Sequence, residues 1–247
     1  MTNKVLRVLT LLLQVLAIAV EIGICTYGII IVEDPSESYP YIATVVRVVV
    51  ILLVTIAYYK TSVSKINPGN LFIISCLFFL SMTELSILSY FTKLSGWSFI
   101  PPRALVRTVM ASQFMAHFSL IGYAMQYQTN EHSSVVRLLL IGLAAAAFLT
   151  VLLPAAQEVS KLWDKKAPLV TLSVLASTAI ISHLILAFTE TTKAAALRHT
   201  ATILMIAGNY ITVVFADMLP FIVIGSALFS IGGFITMVIT LRNSVIL

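Results

Sequence analysis

The chain has 247 residues, of which 60% are hydrophobic and only 10% are charged. A soluble globular domain usually carries about 25% charged residues, so this chain has too few charges to cover a surface that faces water. Its mean hydropathy is +1.03. The composition therefore excludes a soluble globular fold and predicts a polytopic all-α bundle, with residues 1–247 forming a single transmembrane domain and no separate soluble domain.

The net charge of +5 does not indicate nucleic-acid binding. The basic residues stand singly near the ends of apolar segments, where Lys and Arg set the orientation of a membrane protein. In an eight-span topology most of these loop residues fall on the side that both termini share, so we expect cytoplasmic N- and C-termini and a plasma (inner) membrane location. The expected partners are the lipid bilayer and other membrane subunits, or further copies of this chain.

A helix needs about 20 apolar residues to cross the hydrocarbon core of a bilayer, and eight segments of the chain approach that length. The breaks between them carry turn residues, as in Glu33-Asp34-Pro35-Ser36. In chain order, the eight predicted spans are Val5–Val32, Tyr41–Tyr59, Leu71–Phe91, Ala104–Tyr127, Val136–Leu153, Leu169–Phe188, Thr200–Phe215 and Leu219–Leu241.

The seventh segment is the shortest of the eight. Thr200–Phe215 would be about 24 Å long as a helix, near the lower limit for crossing a bilayer. One continuous helix over Thr200–Leu241 would instead be about 63 Å long, twice the thickness of the hydrocarbon core. We therefore predict two spans joined by a hairpin near Pro220. A re-entrant or tilted seventh segment, which would leave seven spans, is the alternative.

Most of the ionisable side chains inside or at the edges of the predicted spans gather in one half of the bundle. Such groups are costly in lipid and often mark functional sites. In the eight-span topology they fall in the outer half of the membrane, so we predict that they form a ligand-binding cluster. Its predicted members are Glu21, Arg47, Glu84, Arg103, Arg107, Gln113, Asn209 and Asp217.

This cluster has two interpretations. In the first, its charges pair with one another, for example Arg47 with Glu21 or Glu84, and fix the packing of the first three spans. In the second, the cluster is a polar pocket open to the outside, where Arg103 and Arg107 receive an anionic group through the planar guanidinium fork. The spacing of Gln14, Glu21 and Cys25 supports an inward-facing polar stripe, because steps of seven and four residues return to one helix face.

Two histidines raise a different hypothesis. His117 and His183 lie at similar depths in spans that run in the same direction, and two facing imidazoles can ligate a b-type haem or a metal ion. The simpler interpretation is that each histidine forms a hydrogen bond with a neighbouring helix. We therefore expect no cofactor, and keep haem b between His117 and His183 as an alternative.

Catalytic motifs are missing from the sequence: there is no Walker A loop, no HExxH, no GxSxG and no CxxC. The leading hypothesis is therefore a non-enzymatic membrane protein, a sensor, receptor or accessory protein. It would bind a small ligand, with an anion as one candidate, or a partner subunit through the polar cluster. The alternatives are a proton-coupled transporter that uses Glu21 or Glu84, a haem-containing redox subunit, and a lipid-modifying enzyme.

Overall fold

The computed structural model describes residues 2–62, 68–96, 100–129 and 135–245, and these residues contain helices without any β-strand. A 3-10 turn, Val159–Lys161, lies between the sixth and seventh helices. The α-helices in chain order are α1 (Thr2–Ile31), α2 (Pro35–Ser62), α3 (Pro68–Glu84), α4 (Ile87–Ser95), α5 (Pro102–Thr129), α6 (Val135–Leu152), α7 (Lys166–Thr189), α8 (Lys193–Val214) and α9 (Leu219–Val245).

Prolines mark where several helices begin. Pro35, Pro68 and Pro102 each occupy the first position of a helix, where the missing N–H is not needed and the fixed φ angle suits a helix. Thr192 begins α8 differently, since its side chain accepts a hydrogen bond from the backbone N–H of Ala195 at 3.3 Å. Because of this cap, α8 begins seven residues before the predicted span at Thr200 and includes His199.

Within the described residues, six helical segments are long and apolar enough to cross a membrane, which confirms the prediction of a helical membrane protein. The predicted number of eight spans is not confirmed, because it counts two segments in addition to these six. One is α6, whose apolar stretch Arg137–Leu152 is shorter. The other is α8, which is about 33 Å long at 1.5 Å per residue but carries Arg198, His199 and Asn209. The six segments are Leu11–Ile31, Glu37–Lys60, Asn70–Lys93, Pro102–Gln126, Lys166–Thr189 and Leu219–Arg242.

The predicted third span is two helices rather than one. The backbone turns at Leu85 and Ser86, where the N–H of Ser86 donates to the carbonyl of Thr83 at 3.1 Å and the N–H of Leu88 donates to that of Leu85 at 2.9 Å. These three-residue bonds replace the four-residue bonds of an α-helix and tighten the chain locally. The break matters for function because it makes Glu84 the last residue of α3.

The closest helix packing is between α8 and α9. A Cβ atom at Gly208 would lie 2.5 Å from both the carbonyl oxygen of Gly225 and the backbone nitrogen of Phe229, so these two helices meet backbone to backbone. Small residues allow such an approach where lipid supplies no hydrophobic driving force between helices. The pair forms one wall of the bundle, and Phe229 lies fully buried against the core of α2, α3 and α5.

Candidate functional site

An ion pair lies at the centre of the polar cluster. The Nη2 atom of Arg47 on α2 donates to Oε2 of Glu84 at 2.6 Å, and both side chains are buried. The Thr44 side chain also contacts the Glu84 carboxyl group. Because Glu84 ends α3, its negative charge lies at the unfavourable end of the helix dipole, and the Arg47 guanidinium compensates for that. The predicted pairing of Arg47 with Glu84 is therefore confirmed.

A second carboxylate lies near this pair without a partner. Glu21 on α1 is fully buried, and neither of its carboxylate oxygens accepts a hydrogen bond within the described part of the chain. Its charge interacts with that of Glu84. Gln14 and Cys25 on the same face are also fully buried, as the spacing predicted, and Nε2 of Gln14 donates to the Thr55 hydroxyl at 3.1 Å. Glu84 therefore has a guanidinium partner, whereas Glu21 has none among the described residues.

The Arg47 guanidinium is only partly used by Glu84. Its Nε and Nη1 atoms are buried and find no acceptor among the described residues. Arg47 also lines a cavity of about 70 Å³, which we call the inner cavity. Hydroxyl groups of several other helices and of the segment between α6 and α7 line it as well, and these polar neighbours are Thr44, Thr83, Ser86, Tyr90, Ser160 and Thr212.

A larger opening adjoins the inner cavity at the end of the bundle where α1 ends and α2 begins. This outer groove has a volume of about 450 Å³ and contains charged residues and two tyrosines: Glu37, Tyr41, Tyr90, Lys93 and Asp217. The outer groove and the inner cavity share Pro40, Tyr90, Ala216 and Ile222 in their walls. The two spaces therefore lie side by side, and Arg47 lines the inner one.

Gln113 and Asn209 form a separate polar contact. The Nδ2 atom of Asn209 donates to Oε1 of Gln113 at 2.9 Å, and the reciprocal amide contact measures 3.5 Å. Both side chains are buried. This reciprocal pair joins α5 to α8 and satisfies amide groups that would otherwise be costly inside a membrane protein.

The two arginines expected to receive an anion lie elsewhere. Arg103 is exposed at the start of α5. Arg107 reaches the end of α6, where Nη1 donates to the backbone carbonyls of Thr150 and of Leu153, the latter at 2.9 Å. These are carbonyls at a helix C-terminus, which lack partners within the helix and attract a positive charge. Arg107 therefore caps α6. Asp217, another predicted member of the cluster, lies in the wall of the outer groove, beside the Arg47 site.

The two histidines considered as haem ligands have different surroundings. Nδ1 of His183 lies 3.0 Å from Nδ1 of His199, and the Tyr123 ring stacks on His183 with centroids 5.9 Å apart. His117 contacts the carbonyl of Gln113 at 2.7 Å through Nδ1 and lines a cavity of about 30 Å³. That volume suits one or two water molecules rather than a porphyrin. Each histidine thus bonds to a neighbouring group, and the described residues form no cluster of three or more metal-ligating side chains.

The predicted members did not include Thr44, Glu37, Tyr41 or Tyr90, which line the inner cavity or the outer groove. Thr44 had a readable signal, because it precedes Arg47 by three residues and so shares its helix face. The tyrosines and Glu37 lie where aromatic and charged residues are common at a membrane interface, so no sequence feature separates them from other interfacial residues.

No protein-family model matches this chain, and no curated protein or solved structure is similar to it. The class of the protein therefore follows from its helices, which are those of an integral membrane protein. Its activity has to be argued from the Arg47 site.

Proposed function

We propose that this is a non-enzymatic integral membrane protein of sensor, receptor or accessory type that binds a small anion-bearing ligand at Arg47. One observation carries the proposal: Arg47 is buried, lines the inner cavity, and has two guanidinium nitrogens without an acceptor in the described structure. Buried donors normally find partners. A binding site for a hydrogen-bond acceptor requires free donors beside a cavity. Arg47 has such donors at the inner cavity, which adjoins the outer groove.

The chemistry of Arg47 favours a carboxylate or phosphate as that acceptor. Glu84 uses Nη2 alone, so the other nitrogens remain for a ligand. Each donor edge of a guanidinium pairs Nη2 with Nε or with Nη1, so the edge that Glu84 leaves open matches the two oxygens of such a group. Charged hydrogen bonds are also stronger in a buried site than in water. The acidic side chain of a partner membrane subunit would satisfy the same donors, and it is the other occupant that this proposal allows.

The test is ligand binding by protein in lipid nanodiscs. A panel of small carboxylates and inorganic phosphate is screened by the shift in thermal unfolding, first with the unaltered protein. Arg47→Lys keeps the charge but loses the fork, and should weaken binding at least about tenfold. Arg137→Lys, at an exposed position on α6, is the matched control and should bind normally. Equal binding by both variants would refute a role for Arg47.

A second candidate is proton-coupled transport, and Glu21 favours it. A carboxylate buried in a membrane protein without a hydrogen bond marks a proton-relay position, and Glu21 also interacts with Glu84 of the ion pair. To test this candidate, the protein is reconstituted into proteoliposomes under an imposed pH gradient. The accumulation of the small carboxylate ligands that bind in the thermal screen is then measured. Glu21→Gln should abolish gradient-driven accumulation while leaving equilibrium binding at Arg47. Accumulation that is unchanged in Glu21→Gln would exclude a coupling role.

The topology that we propose has eight spans, with α6 and α8 as the fifth and seventh, both termini in the cytoplasm, and a plasma (inner) membrane location. It is supported by the bias of Lys and Arg in the loops and by the length of α8. Labelling by a membrane-impermeant maleimide tests it. If α8 crosses the membrane, cysteines placed at Lys193 and Asp217 should react from opposite sides. Reaction from the same side would mean a re-entrant α8 and seven spans.

A further inference from the structure

The outer groove differs in charge from the inner cavity that it adjoins. Glu37 and Asp217 are exposed in its wall, and neither makes an ion pair within the described residues. Lys93 also lines the groove, but its Nζ lies 3.4 Å from the carboxylate of Glu158, which offsets part of its charge. The groove is therefore negative, whereas the unpaired donors at the inner cavity belong to a guanidinium.

The groove also provides aromatic surface. The rings of Tyr41 and Tyr90 form part of its wall. Tyrosine faces attract organic ammonium groups, and carboxylates beside them strengthen that attraction. Two carboxylates and two tyrosines in a groove of about 450 Å³ are thus suited to a ligand's cationic end. The volume is within the usual range for small-molecule sites.

Tyr90 connects the two regions. It lines both the outer groove and the inner cavity, and it interacts electrostatically with both Asp217 and Arg47. Tyr90 is therefore common to the negative and the positive parts of the site. A ligand that reaches both parts needs a carbon chain between its charged groups.

We propose that the ligand is a zwitterion, held by Arg47 at its anionic group and by Glu37, Asp217, Tyr41 and Tyr90 at an ammonium group. This inference rests on the proposed function and names the substrate class of the same site. A simple anion would have to pass the carboxylates of the groove, and a simple cation would meet Arg47. A zwitterion is attracted at both ends, and each end disfavours the ligands that lack the matching charge.

The experiment compares hexanoate, hexylamine, 4-aminobutyrate and 6-aminohexanoate as titrants of the protein in nanodiscs, with dissociation constants from calorimetry. We expect one of the two amino acids to bind at least about tenfold more tightly than hexanoate. In the double variant Glu37→Gln/Asp217→Asn this advantage should disappear while hexanoate binding persists. The matched control is Glu33→Gln, an exposed residue of the α1–α2 turn that should leave all four affinities unchanged.

The possible outcomes separate the two proposals. If hexanoate binds as tightly as both amino acids and its binding depends on Arg47, the zwitterion is refuted and the proposed function stands. Tightest binding by hexylamine, or an amino-acid advantage that survives in the double variant, also refutes the zwitterion. Should none of the four titrants bind, the proposed function and this inference fail together.

A zwitterion can be a free solute or the headgroup of a lipid. The same titrations are therefore repeated in nanodiscs of phosphatidylglycerol, with and without phosphatidylcholine. If phosphatidylcholine lowers the apparent affinity for the amino acid by competition, the lipid headgroup is the occupant. If the affinity is the same in both lipids, the ligand is a soluble zwitterion. Either result keeps the zwitterion and identifies its source.

Discussion

The Nη2 atom of Arg47 lies 2.6 Å from Oε2 of Glu84, and this contact joins the middle of α2 to the last residue of α3. Both side chains are buried, so neither charge is hydrated by bulk water. A buried ion pair contributes little net stability compared with two apolar residues, but removing one partner leaves an uncompensated charge. The pair therefore makes α2 and α3 depend on each other.

The first prediction concerns this dependence. Arg47→Met should lower the free energy of unfolding by about 3–5 kcal/mol, because Glu84 is left buried without its partner. The double variant Arg47→Met/Glu84→Met should recover most of that loss. Unfolding by SDS titration in mixed micelles measures both. If the double variant is no more stable than the single one, the ion pair is not the reason for the loss.

The second prediction concerns Glu21, whose carboxylate oxygens lack hydrogen bonds in the described structure. Replacing a buried polar group that has no partner by an apolar one removes its desolvation penalty, so Glu21→Met should raise the free energy of unfolding by about 1–3 kcal/mol. Gln14→Met is the comparison, since Gln14 donates to Thr55 and its loss should destabilise. A marked loss of stability in Glu21→Met would mean that the carboxylate has a partner.

The sequence was sufficient to predict the membrane class and that Arg47 pairs with Glu21 or Glu84. Six apolar segments need only composition and length for recognition. A guanidinium inside an apolar helix needs a carboxylate, and only Glu21 and Glu84 were available in the first three spans. The choice between Glu21 and Glu84 as the partner of Arg47 required the three-dimensional structure. It depends on the break at Leu85 and Ser86, which no proline or glycine marks.

Other parts of the site left no sequence signal. Arg107 binds backbone carbonyls, and because every residue has a carbonyl, the sequence cannot show which one an arginine reaches. The His183–His199 contact was missed because α8 begins at a Thr192 cap, several polar residues before its apolar stretch. The outer groove is formed by residues from the α1–α2 turn, α2, α4, the α8–α9 turn and α9, and their proximity is a property of the tertiary structure alone.

The third prediction tests Arg107 as a helix cap. Arg107→Ala should lower the free energy of unfolding by about 1–3 kcal/mol, because carbonyls at the end of α6 lose a charged donor. Arg103→Ala, one turn earlier and exposed, should change it by less than about 0.5 kcal/mol. The affinity for the small carboxylate that binds at Arg47, measured on the same samples, should stay unchanged in both variants. A loss of affinity in Arg107→Ala without a loss of stability would instead favour the original expectation that Arg107 holds the anion.

The fourth prediction concerns the α8–α9 contact. A Cβ atom at Gly225 would meet the carbonyl of Gly208 at 2.7 Å and the backbone nitrogen of Thr212 at 2.9 Å, so Gly225→Ala must push the helices apart. We expect a loss of about 1–3 kcal/mol in the free energy of unfolding. The control is Gly23→Ala on α1, where no described atom lies within 4 Å of the added carbon. That variant should be neutral or slightly stabilised, and equal losses in the two variants would contradict backbone contact as the cause.

The fifth prediction concerns the reciprocal amide pair between Gln113 and Asn209. Asn209→Leu should destabilise the protein, because the Gln113 amide loses its donor and acceptor inside the bundle. In the double variant Gln113→Leu/Asn209→Leu neither amide remains to be satisfied, so the two losses should not add. A double-mutant cycle should give a coupling energy of about 0.6 kcal/mol, the mean found for polar contacts between membrane helices, and at most about 1.7 kcal/mol. A coupling energy of zero would show that the two amides contribute independently, and α5 and α8 would then be held together by apolar packing alone.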